Sequence, residues 1–114
     1  MAPSRQADLV RHLTSVLGPT LVSTLAGSKD THAAIAWGTE DGPHADADAI
    51  RRLECAEAAW RKVSDAEGPD VARLWFIGAN PWLADSTAVT AIREGRFDEV
   101  AGAAQALVDG SFSG

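Results

Sequence analysis

Apolar residues recur along the chain with helical spacing, and glycines and prolines cut that pattern into short pieces. Leu9, Leu13, Val16 and Leu17 fall at i, i+4, i+7 and i+8, one apolar stripe of a first helix that Ser4 is placed to cap. Gly18 ends it, and Pro19 suits the first turn of a second helix containing Leu21, Val22, Leu25 and Ala26, closed by Gly27. Ser28 or Asp30 then caps a third short helix reaching Trp37, and Gly38 to Asp46 reads as a loop. Ile50, Leu53, Ala56, Trp60 and Val63 define one face of a long helix over about 47–66, with Glu57 and Arg61 paired at i, i+4 on its surface.

Gly68-Pro69 breaks and restarts the pattern. A fifth helix over about 69–77 is expected to turn Val71, Leu74 and Trp75 inward. Gly78-Ala79-Asn80-Pro81 is a turn, because a residue before proline is pushed out of helical geometry. A sixth helix from near Ser86 holds Val89 and Ile92 and ends at Gly95. A seventh starts near Asp98, holds Val100, Ala104, Leu107 and Val108, and is expected to end at Gly110, leaving 111–114 as a short mobile tail. No segment alternates with period two. The reading is all-α: a compact bundle of about seven short helices, with 1–66 as a helix-turn-helix-like region and 67–114 as a second functional region.

Composition narrows the function. A length of 114 residues with 46% hydrophobic residues fits one core, and frequent alanine favours closely packed helices. The net charge of −6 argues against strong independent DNA binding and for a basic or neutral protein partner. The acidity is uneven: residues 1–66 carry seven Lys/Arg and nine Asp/Glu, residues 67–114 three and seven. Cys55 is the only cysteine, which fits a reducing compartment. No apolar run nears the roughly 18 residues that span a bilayer, and the N-terminus does not read as a signal peptide. The expected location is the cytoplasm.

Catalytic and metal motifs are missing from the pattern. His44-Ala-Asp46-Ala-Asp48 offers nitrogen and oxygen ligands, but its place before a helix explains the acids as caps and dipole partners. There is no phosphate loop, no nucleophile elbow and no partner set for Cys55, so neither an enzyme, a metal nor a cofactor is expected. Residues 19–37 have the layout of a helix-turn-helix, turning at Gly27-Ser28. Lys29, Thr31 and His32, with Arg51 and Arg52 for phosphates, are the candidate DNA contacts; the same unit reads equally well as a packing element.

The run Arg73-Leu-Trp-Phe-Ile-Gly-Ala-Asn-Pro-Trp-Leu, followed by Ile92, Gly95, Val100 and Gly110, resembles the toxin-binding domain of the Xre/MbcA/ParS-type antitoxins over about forty residues. Leu17-Gly18-Pro19, Leu25-Ala26-Gly27 and Trp37-Gly38 resemble that family's helix-turn-helix domain. The resemblance implies a protein partner, a RES-domain toxin that depletes NAD⁺, neutralised when the antitoxin covers its active-site cleft. It also implies operator binding, although the arginines usual in the recognition helix are missing, and an oligomeric complex. The implied toxin-binding residues are Trp75, Asn80, Pro81, Trp82 and Leu83, with Asp109, Gly110, Ser111 and Phe112 reaching into the cleft. Core packing is the expectation for Trp75, whereas Trp82 reads equally as core or surface.

Overall fold

The glycine-proline punctuation sets the helix boundaries in the computed structural model, which describes residues 5–39 and 41–113, the last three of these as backbone alone. Seven α-helices occur among the described residues: α1 (Arg5–Leu17), α2 (Pro19–Leu25), α3 (Ala33–Trp37), α4 (Ala47–Glu67), α5 (Pro69–Ile77), α6 (Ala88–Arg93) and α7 (Phe97–Ser113). A single 3₁₀ turn, Pro81–Leu83, separates α5 from α6. No strand is present among these residues, only an isolated antiparallel bridge between Ala79 and Thr87. No described helix is long and apolar enough to cross a membrane. Ser4, expected to cap α1, lies outside the described residues.

The long helix α4 is the centre of the fold. It starts where the Asp46 carboxylate accepts a hydrogen bond from the Ala49 N–H at 2.8 Å, satisfying a donor that the first turn leaves orphaned. It stops at Gly68, whose φ of 90° is open to glycine and strained for other residues. Gly68 N–H returns to the Ser64 carbonyl, and Pro69 opens α5 without a break in the chain path. Leu53, Ala56, Trp60 and Val63 on α4 are buried, as are Val10, Leu13 and Leu17 of α1, Val22 and Leu25 of α2, and Ile92 and Val100 of α6 and α7. These residues form one contiguous cluster, so both halves of the chain share a core. Rings join inside it, with Phe76 6.2 Å from Trp60 and 5.2 Å from Trp75 between centroids.

Four local expectations change. Helix α3 begins at Ala33, later than the Ser28 or Asp30 start, because those side chains bond their own turn: the Asp30 carboxylate accepts from His32 N–H and Ser28 Oγ from Asp30 N–H. Seven residues therefore separate α2 from α3, longer than the three or four of a helix-turn-helix connection. The inward face of α5 is Ala72 and Phe76; Val71 and Leu74 point to solvent and Trp75 is half-buried. Helix α6 is capped by Thr87, whose Oγ1 accepts from Thr90 N–H. Finally, α7 runs through Gly110 to Ser113, since a helical glycine costs only about 1 kcal/mol and nothing at this position demands a turn.

Candidate functional site

The segment between α5 and α6 folds back on itself through the groups of Asn80. Its side-chain oxygen accepts from Trp82 N–H at 2.9 Å, its carbonyl accepts from the N–H groups of Leu83 and Asp85, and its own N–H donates to the Ser86 carbonyl. Asn80 is buried, and these bonds satisfy polar groups that burial would otherwise leave costly. Pro81 supplies the fixed φ of the first 3₁₀ position. The chain leaves the turn through Ala84 and Asp85, both with positive φ (56° and 65°), a conformation that costs non-glycine residues about 1–2 kcal/mol each. Such strain persists only where the surroundings fix the backbone.

Two groups provide that fixing. The Leu83 side chain is fully buried and plugs the turn into the core. From α7's approach, Arg96 donates to the Leu83 carbonyl at 3.0 Å and to Ser86 Oγ at 3.3 Å. Its guanidinium is itself held by Glu99 (2.7 and 3.2 Å) and Glu94 (3.1 Å). The hydrogen bonds to Glu99, then Glu94, raise Arg96 above its already high pKa, and Arg96 in turn holds the Glu99 carboxyl below the usual carboxylate range. The result is a rigid turn that presents Trp82 outward, 68% exposed.

Beneath Trp82 lies an open groove of about 580 Å³ between this turn and α7. Trp75, Trp82 and Leu107 give it apolar walls, and Ala79, Ala103 and Ala106 give it small ones. Trp75, Asn80, Pro81, Trp82 and Gly110 thus come together around one groove. Leu83 does not join them at the surface: it belongs to the core and acts as the anchor of the turn. Asp109 is exposed and accepts from Gln105 Nε2, which is linked through Oε1 to Lys62. The helical backbone passes through Ser111 and Phe112, whose side chains lie outside the described set.

Sequence reasoning missed the outer face of α5. Val71, Leu74 and Ile77 are 43%, 65% and 50% exposed, on the side opposite Ala72 and Phe76. The signal was present, since six of the nine residues of α5 are apolar, more than a single core-facing stripe holds, so some of them must lie on its outer side beside Asp70 and Arg73. Arg96 was missed as well, because nothing local marks an arginine that bonds a carbonyl thirteen residues away.

The candidate DNA contacts are not gathered in the same way. Lys29, Thr31 and His32 are exposed in the loop before α3, and Arg51 is exposed on α4. Arg52 is spent internally: its Nε donates to the Arg93 carbonyl at 3.0 Å, and a Cβ at Gly27 would lie 2.8 Å from its Nη1. Ala33 and Ala34, at the start of α3, are buried and so present nothing to a groove. A second, polar groove lies between α1 and α4, where Glu57 takes hydrogen bonds from His12 and Arg61, each at 2.7 Å. No group of three or more His, Cys, Asp or Glu is placed to hold a metal among the described residues. Cys55 is half-buried, and burial pushes its thiol up to about 11, away from nucleophilic reactivity.

Comparison with protein-family models, with curated proteins and with solved structures found no match for this chain.

Proposed function

We propose that this chain is the antitoxin of a toxin–antitoxin pair, neutralising a RES-domain, NAD⁺-depleting toxin by direct contact in the cytoplasm and performing no catalysis itself. One observation carries the reading. Of the five large exposed hydrophobic side chains among the described residues, three (Leu74, Ile77 and Trp82) fall within the stretch that resembles the family's toxin-binding domain, and a fourth, Val71, lies two residues before it on the same helix. Large apolar side chains exposed together on one short helix are a mark of a protein interface, and an outward tryptophan beside a groove is a strong anchor. In this reading the α5 face and the Trp82 turn make the main contact. The end of α7, with Asp109 and Gly110 followed by Ser111 and Phe112, then approaches the toxin's cleft as a helix.

Co-expression tests the proposal directly. Cells making the RES toxin encoded beside this chain should grow when the chain is present, and failure of rescue by a well-expressed chain would sink the reading. Truncation after Asp109 isolates the role of the α7 end, since rescue that survives it removes the cleft-entering element. DNA-binding regulation, the alternative, has weaker support. The α3 helix has five residues, Arg52 is engaged within the protein, and the net charge is −6. A mobility-shift titration at two salt concentrations would reveal it through a steep loss of affinity with salt.

A further inference from the structure

We propose that the groove between the Trp82 turn and α7 receives an extended segment of the protein partner, with one backbone carbonyl bonded to the side-chain amide N–H₂ of Asn80 and an apolar side chain between the indoles. The site belongs to the partner-binding surface proposed above and rests on that reading.

Asn80 is only 7% exposed, and it lines the groove. Most of its hydrogen-bonding groups serve the turn. Its backbone N–H donates to the Ser86 carbonyl, and its carbonyl accepts from Leu83 and Asp85. Its side-chain oxygen accepts from Trp82 N–H, which fixes the orientation of the amide, because a backbone N–H needs an acceptor and the amide nitrogen is none. The planar amide therefore points its nitrogen away from the Trp82 backbone, and its two N–H donors meet no acceptor among the described residues. Among the described side chains that are not exposed, only Thr14 Oγ1 is sealed from solvent without a hydrogen bond. The unbonded Asn80 nitrogen thus reaches solvent, and the groove is the opening beside it. A buried residue that keeps donors open at a groove selects an acceptor there.

The acceptor that fits is neutral and belongs to a main chain. Residues 67–114 carry seven acids against three basic side chains, which disfavours a carboxylate or phosphate beside Asn80. Trp75, Trp82 and Leu107, with Ala79, Ala103 and Ala106, give walls that suit an apolar side chain better than a carboxamide, whose own polar groups they would leave unpaired. A segment that buries an apolar side chain here brings a backbone carbonyl with it. Carbonyls inside a helix are already bonded, whereas those of an extended segment are unspent, so the occupant is extended.

The test uses the full chain, labelled with ¹⁵N, and two uncharged peptides, acetyl-Gly-Leu-Gly-amide and acetyl-Gly-Gly-Gly-amide. The leucine peptide should move the Asn80 side-chain N–H₂ resonances together with the indole N–H resonances of Trp75 and Trp82. It should also bind at least about fivefold more tightly than the glycine peptide. Asn80→Asp keeps an oxygen for Trp82 N–H and replaces the donors by a second acceptor. It should weaken the leucine peptide at least about fivefold while leaving the helical circular dichroism unchanged. Indole shifts with the Asn80 amide unmoved, equal binding of the two peptides, binding by neither, or undiminished binding by a folded Asn80→Asp would each overturn the inference. Should that variant unfold, the Asn80 resonances of the unaltered chain still decide the matter. Failed toxin rescue with the Asn80 shift intact would remove the antitoxin reading alone. Rescue with the Asn80 amide unmoved by the peptide would remove only the carbonyl site.

Discussion

Trp82 and Leu83 are neighbours in sequence, and their replacement by alanine should have opposite consequences. Leu83 is fully buried, so Leu83→Ala removes packed methyl groups and leaves a cavity beneath a turn that is already strained. Buried leucines cost about 3–5 kcal/mol on truncation. That is a large share of the about 5–15 kcal/mol that stabilises a domain of this size. Trp82 has about a third of its surface covered. That share is roughly 80 Å² of a large indole, and at about 25 cal/mol/Å² its loss costs at most about 2 kcal/mol. The backbone bond from residue 82 to the Asn80 side chain survives the substitution. Urea denaturation followed by helical circular dichroism reads both variants. With a slope of about 1–3 kcal/mol/M common to both variants, Leu83→Ala should lower the midpoint by on the order of 1–5 M, and Trp82→Ala by at most about two thirds of the smallest Leu83→Ala shift at the same slope. In a binding titration against the toxin, Trp82→Ala should lose at least about 2 kcal/mol, the range of an interface anchor. A loss of about 3 kcal/mol or more of stability in Trp82→Ala, or under about 1 in Leu83→Ala, would refute the assignment of the two sides of the turn.

Other outcomes follow from the same structure. Ser23 is fully buried, with Oγ accepting from Ala34 N–H at 2.9 Å and within hydrogen-bond distance of the Pro19 and Thr31 carbonyls, so Ser23→Ala should cost about 1–3 kcal/mol and lower the thermal midpoint accordingly. Cys55, pushed up to about 11, should alkylate with iodoacetamide at pH 8 at least about a hundredfold more slowly than a free thiol, and a rate near that of glutathione would place it at the surface. Glu99 has a depressed pKa, so its contribution is complete above the unfolded carboxyl value of about 4.3 and fades as pH falls through the folded value. Acid titration should therefore release the Arg96 clamp before the core melts, visible as a change at the Trp82 indole resonance that Glu99→Gln abolishes. An unchanged acid response in that variant would assign it elsewhere.

Much of the fold was legible because it is written in residues with few alternatives. Gly18-Pro19 and Gly68-Pro69 set helix junctions, Asp46 starts α4, and the stripe from Leu53 to Val63 faces the core as spaced. The failures have a common cause: each depended on contacts distant in sequence or on competing local bonds. Helix α5 carries six apolar residues of nine, so periodicity alone cannot say which side is inward; the small Ala72 and the large Phe76 pack because α4 brings Trp60 to meet them. The Asp30 carboxylate caps its own turn in preference to a helix. Gly110, a terminator by reputation, sits in a helix that meets no reason to stop. Among the candidate site residues, the turn at Asn80-Pro81 was readable, while the sequence left Trp82 equally core or surface. Leu83's burial and Arg96's reach were not, since both depend on how α7 returns to the turn.

The position of α4, packed against elements of both halves, ties events at the groove to the whole chain. A partner that binds only the folded form adds RT ln(1 + [L]/Kd) to the stability of every cooperatively unfolding part, about 2.7 kcal/mol at a hundredfold excess over Kd. Helix α1 does not line the groove, yet Val10 and Leu13 share one core with Trp60 and Phe76. Amide hydrogens of α1 that exchange only through global opening should therefore slow by about a hundredfold when the groove is filled. Occupancy on one side of the bundle would be recorded in the exchange clock of a helix that never meets the partner.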